Sequence, residues 1–450
     1  MITNFDDRNQ FASVLHANVS PTSPIESQEH LYGREKQVQQ IEQALYAPGR
    51  SIFIYGDRGV GKTSLAHTIA YLHQPANHNP ALIACGPEST FSGVMCSVIK
   101  ALAGRKSAPG STTVHTAKIG VKAFGLELSR NRKEDAEQTP TEFDLTTAVA
   151  ALLKIDHSAE NDSVVVIDEF DRIRSEIERG HFADFIKQVG DQHIPIRFVF
   201  CGVAESMQTL LGAHESCFRY LEGVELQRLS WEGRFGIIDT TAKALGVEVE
   251  THARFRIAAI SDGFPYYVHL ICEKLFWQVF NDDRICTISN LDHYREAVAE
   301  SVMGIEQHLK TTYEHAVMKN APDYEQLLWA VADHADLFRS TENIYESYLK
   351  LSGKDEPLDR TTVVSRLNVL KGKSCGRILM NTKKGWYQFT ESVMRGYVRL
   401  RAEEKGLELA TDYAASTSSS SSLAWPLRGA RSTRMTTRRD WDKTKEPAGF

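Results

Sequence analysis

The chain has 450 residues, 42% hydrophobic and 24% charged, the profile of a soluble globular protein. At about 150 residues per domain this length predicts roughly three domains, each able to bury a core without metal or disulfide staples. Lys plus Arg number 52 against 58 Asp plus Glu, and the net charge of −6 excludes a chain that is polyanion-binding throughout. Seven cysteines (Cys85, Cys96, Cys201, Cys217, Cys272, Cys286 and Cys375) are scattered, with no C-x-x-C pair. They read as buried free thiols of a reducing compartment. Met1 to Gln10 is polar and carries Asp6 and Asp7 where a signal peptide needs cations and then apolar residues. No apolar run approaches the ~18 residues of a membrane helix. The expectation is a cytoplasmic protein with no membrane segment.

In chain order, residues 1–30 are polar, with Pro21 and Pro24 among serines, and read as a flexible lead-in. Val38, Ile41 and Leu45 fall at i, i+3 and i+7, predicting a helix after Gly33 that Pro48-Gly49 ends. Residues 51–55 form a short apolar strand, followed by a glycine-rich turn and a helix bearing Leu65, Ile69 and Leu72. Strands are then predicted at 81–85, 163–167, 196–201 and 224–226, and helices at 91–102 and 177–189. Buried strands alternating with helices predict a parallel sheet covered on both faces. The fold class is a three-layer α/β domain over 31–230.

Residues 111–129 alternate enough to predict a β-hairpin insertion, and charged residues 130–137 read as a solvated loop. From 231 to 310 the pattern turns helical and predicts an all-helical domain. A third unit, 321–405, has helical stretches at 324–335, 342–351 and 361–370, strands at 377–380 and 386–389, and a last helix from Glu391. Lys383-Lys384-Gly385 reads as the turn between the strands. This is the winged-helix order, an elaboration of helix-turn-helix. Residues 411–450 carry a serine-rich run and then arginines, and read as a disordered tail.

Chemistry concentrates at Gly56-Asp57-Arg58-Gly59-Val60-Gly61-Lys62-Thr63, continued by Ser64, which matches G-x-x-x-x-G-K-[ST]. Phosphates need backbone N–H groups turned inward, and glycine lets the turn approach closely. Lys62 is placed to reach the β and γ phosphates, and the Thr63 hydroxyl to hold Mg²⁺. The strand 163–167 ends in Asp168-Glu169. Asp168 is the second residue for the metal and Glu169 the general base for an attacking water. The plainer reading is a strand end capped by two acids.

With Leu31-Tyr32-Gly33-Arg34-Glu35, these motifs resemble the AAA+ and STAND branches of P-loop ATPases. The likeness is strongest to origin-recognition and archaeal-type ATPases that append a winged helix, and it covers about 30–400. It implies ATP as the nucleotide, the 231–310 domain as a lid, and an adenine pocket around Gly33 and Arg34. Arg34 also reads as a surface charge. The resemblance further places Pro265 of Gly263-Phe264-Pro265 in the lid turn. The lid arginine of AAA+ proteins is missing, and Tyr266-Tyr267-Val268-His269 stands there instead. His269 is either a phosphate contact or a packed residue. Glu205 and Ser206 occupy the γ-phosphate sensor position, without its usual Asn or Thr. Arg219 occupies the arginine-finger position, which acts on a neighbouring subunit; an ordinary solvated or ion-paired arginine is the other reading. The catalytic set is then Glu169, Lys62 and Arg219.

Charge splits the third unit. Residues 321–359 are mostly acidic, whereas 360–401 hold Arg360, Arg366, Lys371, Lys373, Arg377, Lys383, Lys384, Arg395, Arg399 and Arg401 against Glu391 alone. In a DNA-binding winged helix, Arg360, Thr361, Thr362, Ser365, Arg366, Lys371 and Asn368 would line the recognition helix. Lys383 and Lys384 would grip phosphate from the wing. Winged helices also dock proteins, and the basic half also reads as the partner of the acidic half. The function expected is an ATP-hydrolysing switch coupled to double-stranded DNA, with self-assembly if Arg219 is a finger. The alternatives are a signalling or defence scaffold whose winged helix touches no DNA, and an ATPase partner of a separate effector protein.

Overall fold

The computed structural model describes residues 5, 7–21, 24, 28–74, 79–103, 143–155, 163–204, 207–208, 219–282, 284, 287–317, 323–353 and 357–411. The expected 111–129 hairpin, the sensor candidates Glu205 and Ser206, and the tail beyond 411 lie outside the described residues. Among those described, no helix is long and apolar enough to cross a membrane, and five cysteines are free thiols.

The core is a five-stranded parallel sheet made of β1 (Ser51–Tyr55), β2 (Ala81–Ala84), β3 (Ser163–Asp168), β4 (Ile196–Gly202) and β5 (Leu221–Glu225). Its strand order is β2-β3-β4-β1-β5, with every pairing parallel. Period-two alternation sends side chains to two separate cores. Ile52, Ile54, Val164, Val166, Val199 and Val224 face α2 (Glu35–Leu45) and α3 (Lys62–Leu72). Phe53, Val165, Ile167, Phe198 and Phe200 face α4 (Phe91–Ala103), α5 (Leu145–Leu153) and α6 (Glu176–Asp191). The second face is a cluster of phenylalanines in edge-on contact, with Phe170 and Phe182 at its centre. This is the three-layer arrangement expected.

A helical region follows with α7 (Trp231–Leu245), α8 (Thr251–Ile260), α9 (Pro265–Asn281), α10 (Leu291–Gly304) and α11 (Gln307–Val317). The all-helical expectation needs one correction. Two-residue strands β6 (Glu248–Val249) and β7 (Ile288–Ser289) pair in parallel inside it. The lead-in is also corrected, because residues 8–18 form a helix, α1 (Arg8–Asn18). Asp7 caps it by accepting from Gln10 N, and Phe11 and Leu15 are fully buried. The Phe11 ring stacks on Phe280 with centroids 4.3 Å apart and meets Trp277 edge-on at 4.8 Å. Two buried apolar residues suffice for this helix because another helix covers them.

The C-terminal region is α12 (Asp323–Ala332), β8 (Arg339–Ser340), α13 (Thr341–Ser352), α14 (Arg360–Leu370), β9 (Leu379–Lys383), β10 (Trp386–Phe389) and α15 (Ser392–Glu404). The strands make an antiparallel sheet in the order β8-β10-β9. Strand β8 is too short to show a period and was not expected. Its core is continuous with that of the helical region and of the α2–α3 face of the main sheet.

Candidate active site

The phosphate loop leaves the C-terminal end of β1. Gly56 has φ +152°, and a Cβ built on it would lie 2.2 Å from Leu226 O, so only glycine fits there. Gly59 and Gly61 are left-handed, with φ +83° and +97°, and Gly61 is the N-cap of α3. The α3 N-terminus thus aims its free N–H groups and positive dipole end at the loop. The Lys62 ammonium lies within the loop and donates to Gly56 O at 3.0 Å and Asp57 O at 2.8 Å. Burial lowers its pKa, against the pull of Asp171, Cys201, Asp168 and Asp57. Asp57 and Arg58 are exposed at the loop tip, Val60 is fully buried, and Ser64 follows in the first turn of α3.

The end of β3 brings the second acid pair to the same place. Thr63 Oγ1 donates to Asp168 Oδ2 at 2.7 Å, across 105 residues of chain. Asp168 Oδ1 accepts from Glu169 N at 2.7 Å, and Glu169 itself is left-handed with φ 54°. Its carboxylate pairs with Arg172 at 2.7 Å, both side chains being half exposed. A hydroxyl and a carboxylate oxygen side by side are the hard donor set that Mg²⁺ takes, with most of its sphere left for water and phosphate. Among the described residues no cluster of three or more His, Cys, Asp or Glu competes as a metal centre.

The approach segment is more deeply involved than its sequence suggests. Arg34 is only 5% exposed, and its Nη2 donates to Val60 O in the phosphate loop at 2.8 Å. Burial lowers its pKa to about 10. The surface-charge reading of Arg34 is therefore overturned. Gly33 has φ +67°, and its Cβ position is 3.2 Å from Gly233 Cα, so α7 is seated against it. A cleft of about 220 Å³ on the outer side of this segment is lined by Glu29, Leu31, Tyr32, Glu35, Val38, Gln39 and Glu42.

Two further helices end at the loop. Pro265 is the first residue of α9, and its Cγ is 3.8 Å from the Cβ position of Gly61. Val393 at the start of α15 lies 3.4 Å from the Cβ position of Gly59, and Phe264 lies 3.5 Å from it. Tyr267 Oη donates to Val393 O at 2.7 Å, and Gly396 leaves room for the Tyr267 ring. Sequence reasoning missed Val393, and the mid-helix Gly396 was the only available signal. His269, one turn along α9, is 3% exposed and neutral, with burial lowering its pKa to about 4. A neutral ring is no substitute for the missing lid arginine.

Arg219 is exposed and lies away from this cluster. It precedes β5, whose Leu221 sits beside Ser51 at the start of β1, whereas the loop leaves the far end of β1 after Tyr55. At about 3.3 Å per residue it stands a whole strand from the chain's own phosphate loop.

In the C-terminal region the expected DNA-contact residues divide. Arg360, Thr361, Ser365, Asn368, Lys383 and Lys384 are exposed, and Lys371 is half-buried beside the Tyr387 ring. Thr362 is spent on capping α14, its hydroxyl donating to Asp359 Oδ2 at 2.6 Å. Arg366 is corrected: it is ion-paired with Asp323 and sits over the Tyr324 ring. Arg395 and Arg399 are also internal, 1% and 3% exposed, and both donate to Ala332 O, the last carbonyl of α12. The partial negative charge of the helix C-terminus, and Asp262 beside Arg395, offset part of the cost of burying them.

Residues 30–189 match the family described as AAA ATPase domain. The chain is an ATPase. Among curated proteins none matches the chain in sequence. Similar solved structures include the Walker-type ATPase PABY2304 of Pyrococcus abyssi, at 15% identity and TM-score 0.49, covering 84% of this chain and 99% of that one. The Cdc6p protein of Pyrobaculum aerophilum aligns at 15% identity and TM-score 0.40, covering 88% and 98%. The ORC2 protein of Aeropyrum pernix aligns at 13% identity and TM-score 0.45, covering 89% and 98%.

Proposed function

We propose that this ATPase is a switch whose C-terminal region reads the nucleotide at the phosphate loop and docks on double-stranded DNA. The observation that carries the switch is the place of Val393 beside the phosphate loop, 3.4 Å from where a Cβ of Gly59 would stand, so that a loop rearranged by phosphate would meet α15. The element order of 323–404, with its three-stranded sheet, supports a winged helix, and 231–310 serves as the lid.

In this reading Lys62 and the loop N–H groups hold the phosphates, and Thr63 and Asp168 hold Mg²⁺. The metal, when bound, neutralises charge on the β and γ phosphates. Glu169 leaves Arg172 and accepts the proton of the water that attacks the γ phosphorus, while the bond to the bridging oxygen breaks and ADP departs. Gly33, Arg34 and Pro265 line the nucleoside side. Arg219, remote from its own loop, serves a neighbouring subunit when copies assemble. The exposed stripe Thr361, Ser365 and Asn368 supplies the recognition face, with Arg360, Lys371, Lys383 and Lys384 on the DNA backbone.

The internal engagement of Arg366, Arg395 and Arg399 favours a second reading, a scaffold that docks protein and ignores DNA. Steady-state ATP hydrolysis with and without duplex DNA, at low and high salt, separates the two. Stimulation that fades with salt supports the DNA-coupled switch, because phosphate contacts release counterions. Turnover indifferent to DNA at both salts supports the scaffold.

A further inference from the structure

We propose that the outward face of the β8-β10-β9 sheet stacks on unpaired nucleotides, so that the DNA docked here is a duplex with a single-stranded segment. The inference rests on the reading of 323–404 as a DNA-docking region. Strand register defines the face. Tyr387 pairs with Arg339 on one side and Asn381 on the other, and Phe389 pairs with Leu379. Arg339, Tyr387, Leu379 and Phe389 are all buried, so the residues that alternate with them on the strands turn outward. They form two rows across the sheet. Ser340, Trp386 and Lys383 make one, and Gln388 and Met380 make the next, with Phe338 opposite Gln388 when the register is extended by one pair.

This face is apolar and aromatic where it meets solvent. Phe338 is 47% and Met380 38% exposed, and Trp386 is half-buried with the Lys383 ammonium 4.1 Å from the centre of its ring. Phe338 and Trp386 are diagonal neighbours on adjacent strands, about 7–8 Å apart, which gives two ring positions side by side. Charge decides what covers them. From Arg360 to Thr390 the sequence holds no acid, and Lys373, Arg377, Lys383 and Lys384 are exposed along the hairpin and its approach. The acids that flank β8, Asp336 and Glu342, lie at the opposite edge of the sheet from β9, and Asp336 is 3.2 Å from the His334 ring. A polyanion that also presents flat apolar rings is a single-stranded nucleic acid. A duplex keeps its base faces inside the stack and shows only groove edges and phosphates.

The test is fluorescence anisotropy of the full chain at low salt with two labelled probes, a blunt duplex and the same duplex carrying an oligothymidine tail. The wild type should bind the tailed duplex more tightly than the blunt one. Trp386→Ala should weaken the tailed duplex about 5- to 100-fold and leave the blunt duplex and DNA-free ATP hydrolysis unchanged. Trp386→Phe, which keeps a ring, should recover most of that loss. Abasic sites along the tail should weaken binding by the wild type and not by Trp386→Ala, which isolates stacking from any effect on folding. Equal affinity for the two probes, an equal loss on both in Trp386→Ala, or indifference of the wild type to abasic sites would overturn the inference and leave docking on duplex standing. A wild type that hydrolyses ATP and binds neither probe would overturn the DNA-docking reading beneath it as well, in favour of a protein partner.

Discussion

At the scale of single residues, backbone geometry and charge decide what each position tolerates. A methyl group at Gly56 would collide with Leu226 O at 2.2 Å, and the φ of +152° is itself unfavourable for any side chain. Gly56→Ala should therefore lose nucleotide binding and cost about 1–3 kcal/mol of stability in urea unfolding. Lys62→Ala should abolish nucleotide binding in a filter or calorimetric assay. Glu169→Gln should keep binding and stop turnover, and wild-type hydrolysis by that variant would refute its role as general base. His269 adds a pH dependence. Its pKa falls from 6.5 to about 4 on folding, so the unfolded chain takes up the proton first as pH drops. Stability present above pH 6.5 is then lost progressively down to pH 4, by roughly 3 kcal/mol. His269→Leu should flatten that part of the profile in pH-dependent thermal unfolding. The loop and the Asp168-Glu169 pair were legible in the sequence because phosphate chemistry and tight turns dictate residue types in fixed order. The burial of Arg34 was not legible, since its partner carbonyl is on Val60 and only the fold brings the two together.

At the scale of elements, the end of α12 gathers an arginine cluster that joins the three regions. Arg228, just after β5, and Arg395, in α15, share the carboxylate of Asp262 at 2.8 and 3.4 Å. Both arginines also donate to Ala335 O, at 2.7 and 3.1 Å. Asp262 belongs to the turn that leads through Gly263 and Phe264 to Pro265 at the phosphate loop. Asp262→Asn should strand buried cations and cost about 3–5 kcal/mol, checked by urea unfolding. Charge counting along the sequence grouped Arg395 and Arg399 in a basic half, read either as a DNA face or as the partner of the acidic half. It could not see that a helix C-terminus, itself partly negative, would bury them. The alternating strands and amphipathic helices of the core were readable because both patterns repeat. Helix α1 and strand β8 were missed because one is mostly polar and the other is two residues long.

At the scale of the whole molecule, the α2–α3 face of the sheet, the helical region and the C-terminal region share one continuous core, whereas the other sheet face closes on its own phenylalanines. In the proposed switch, nucleotide at the loop works against the core that holds the C-terminal region in place. The first turns of three helices, α3, α9 and α15, lie at this loop. In that proposal the place of Val393 beside Gly59 is where occupancy of the site and the position of α15 become one equilibrium. The most direct measurement is hydrogen exchange across the first turn of α15 in wild type and Lys62→Ala, with and without saturating Mg-ATP. Exchange at 392–395 should change on ATP addition in the wild type and stay unchanged in Lys62→Ala. Identical exchange with and without ATP in a wild-type protein shown to bind it would contradict the coupling.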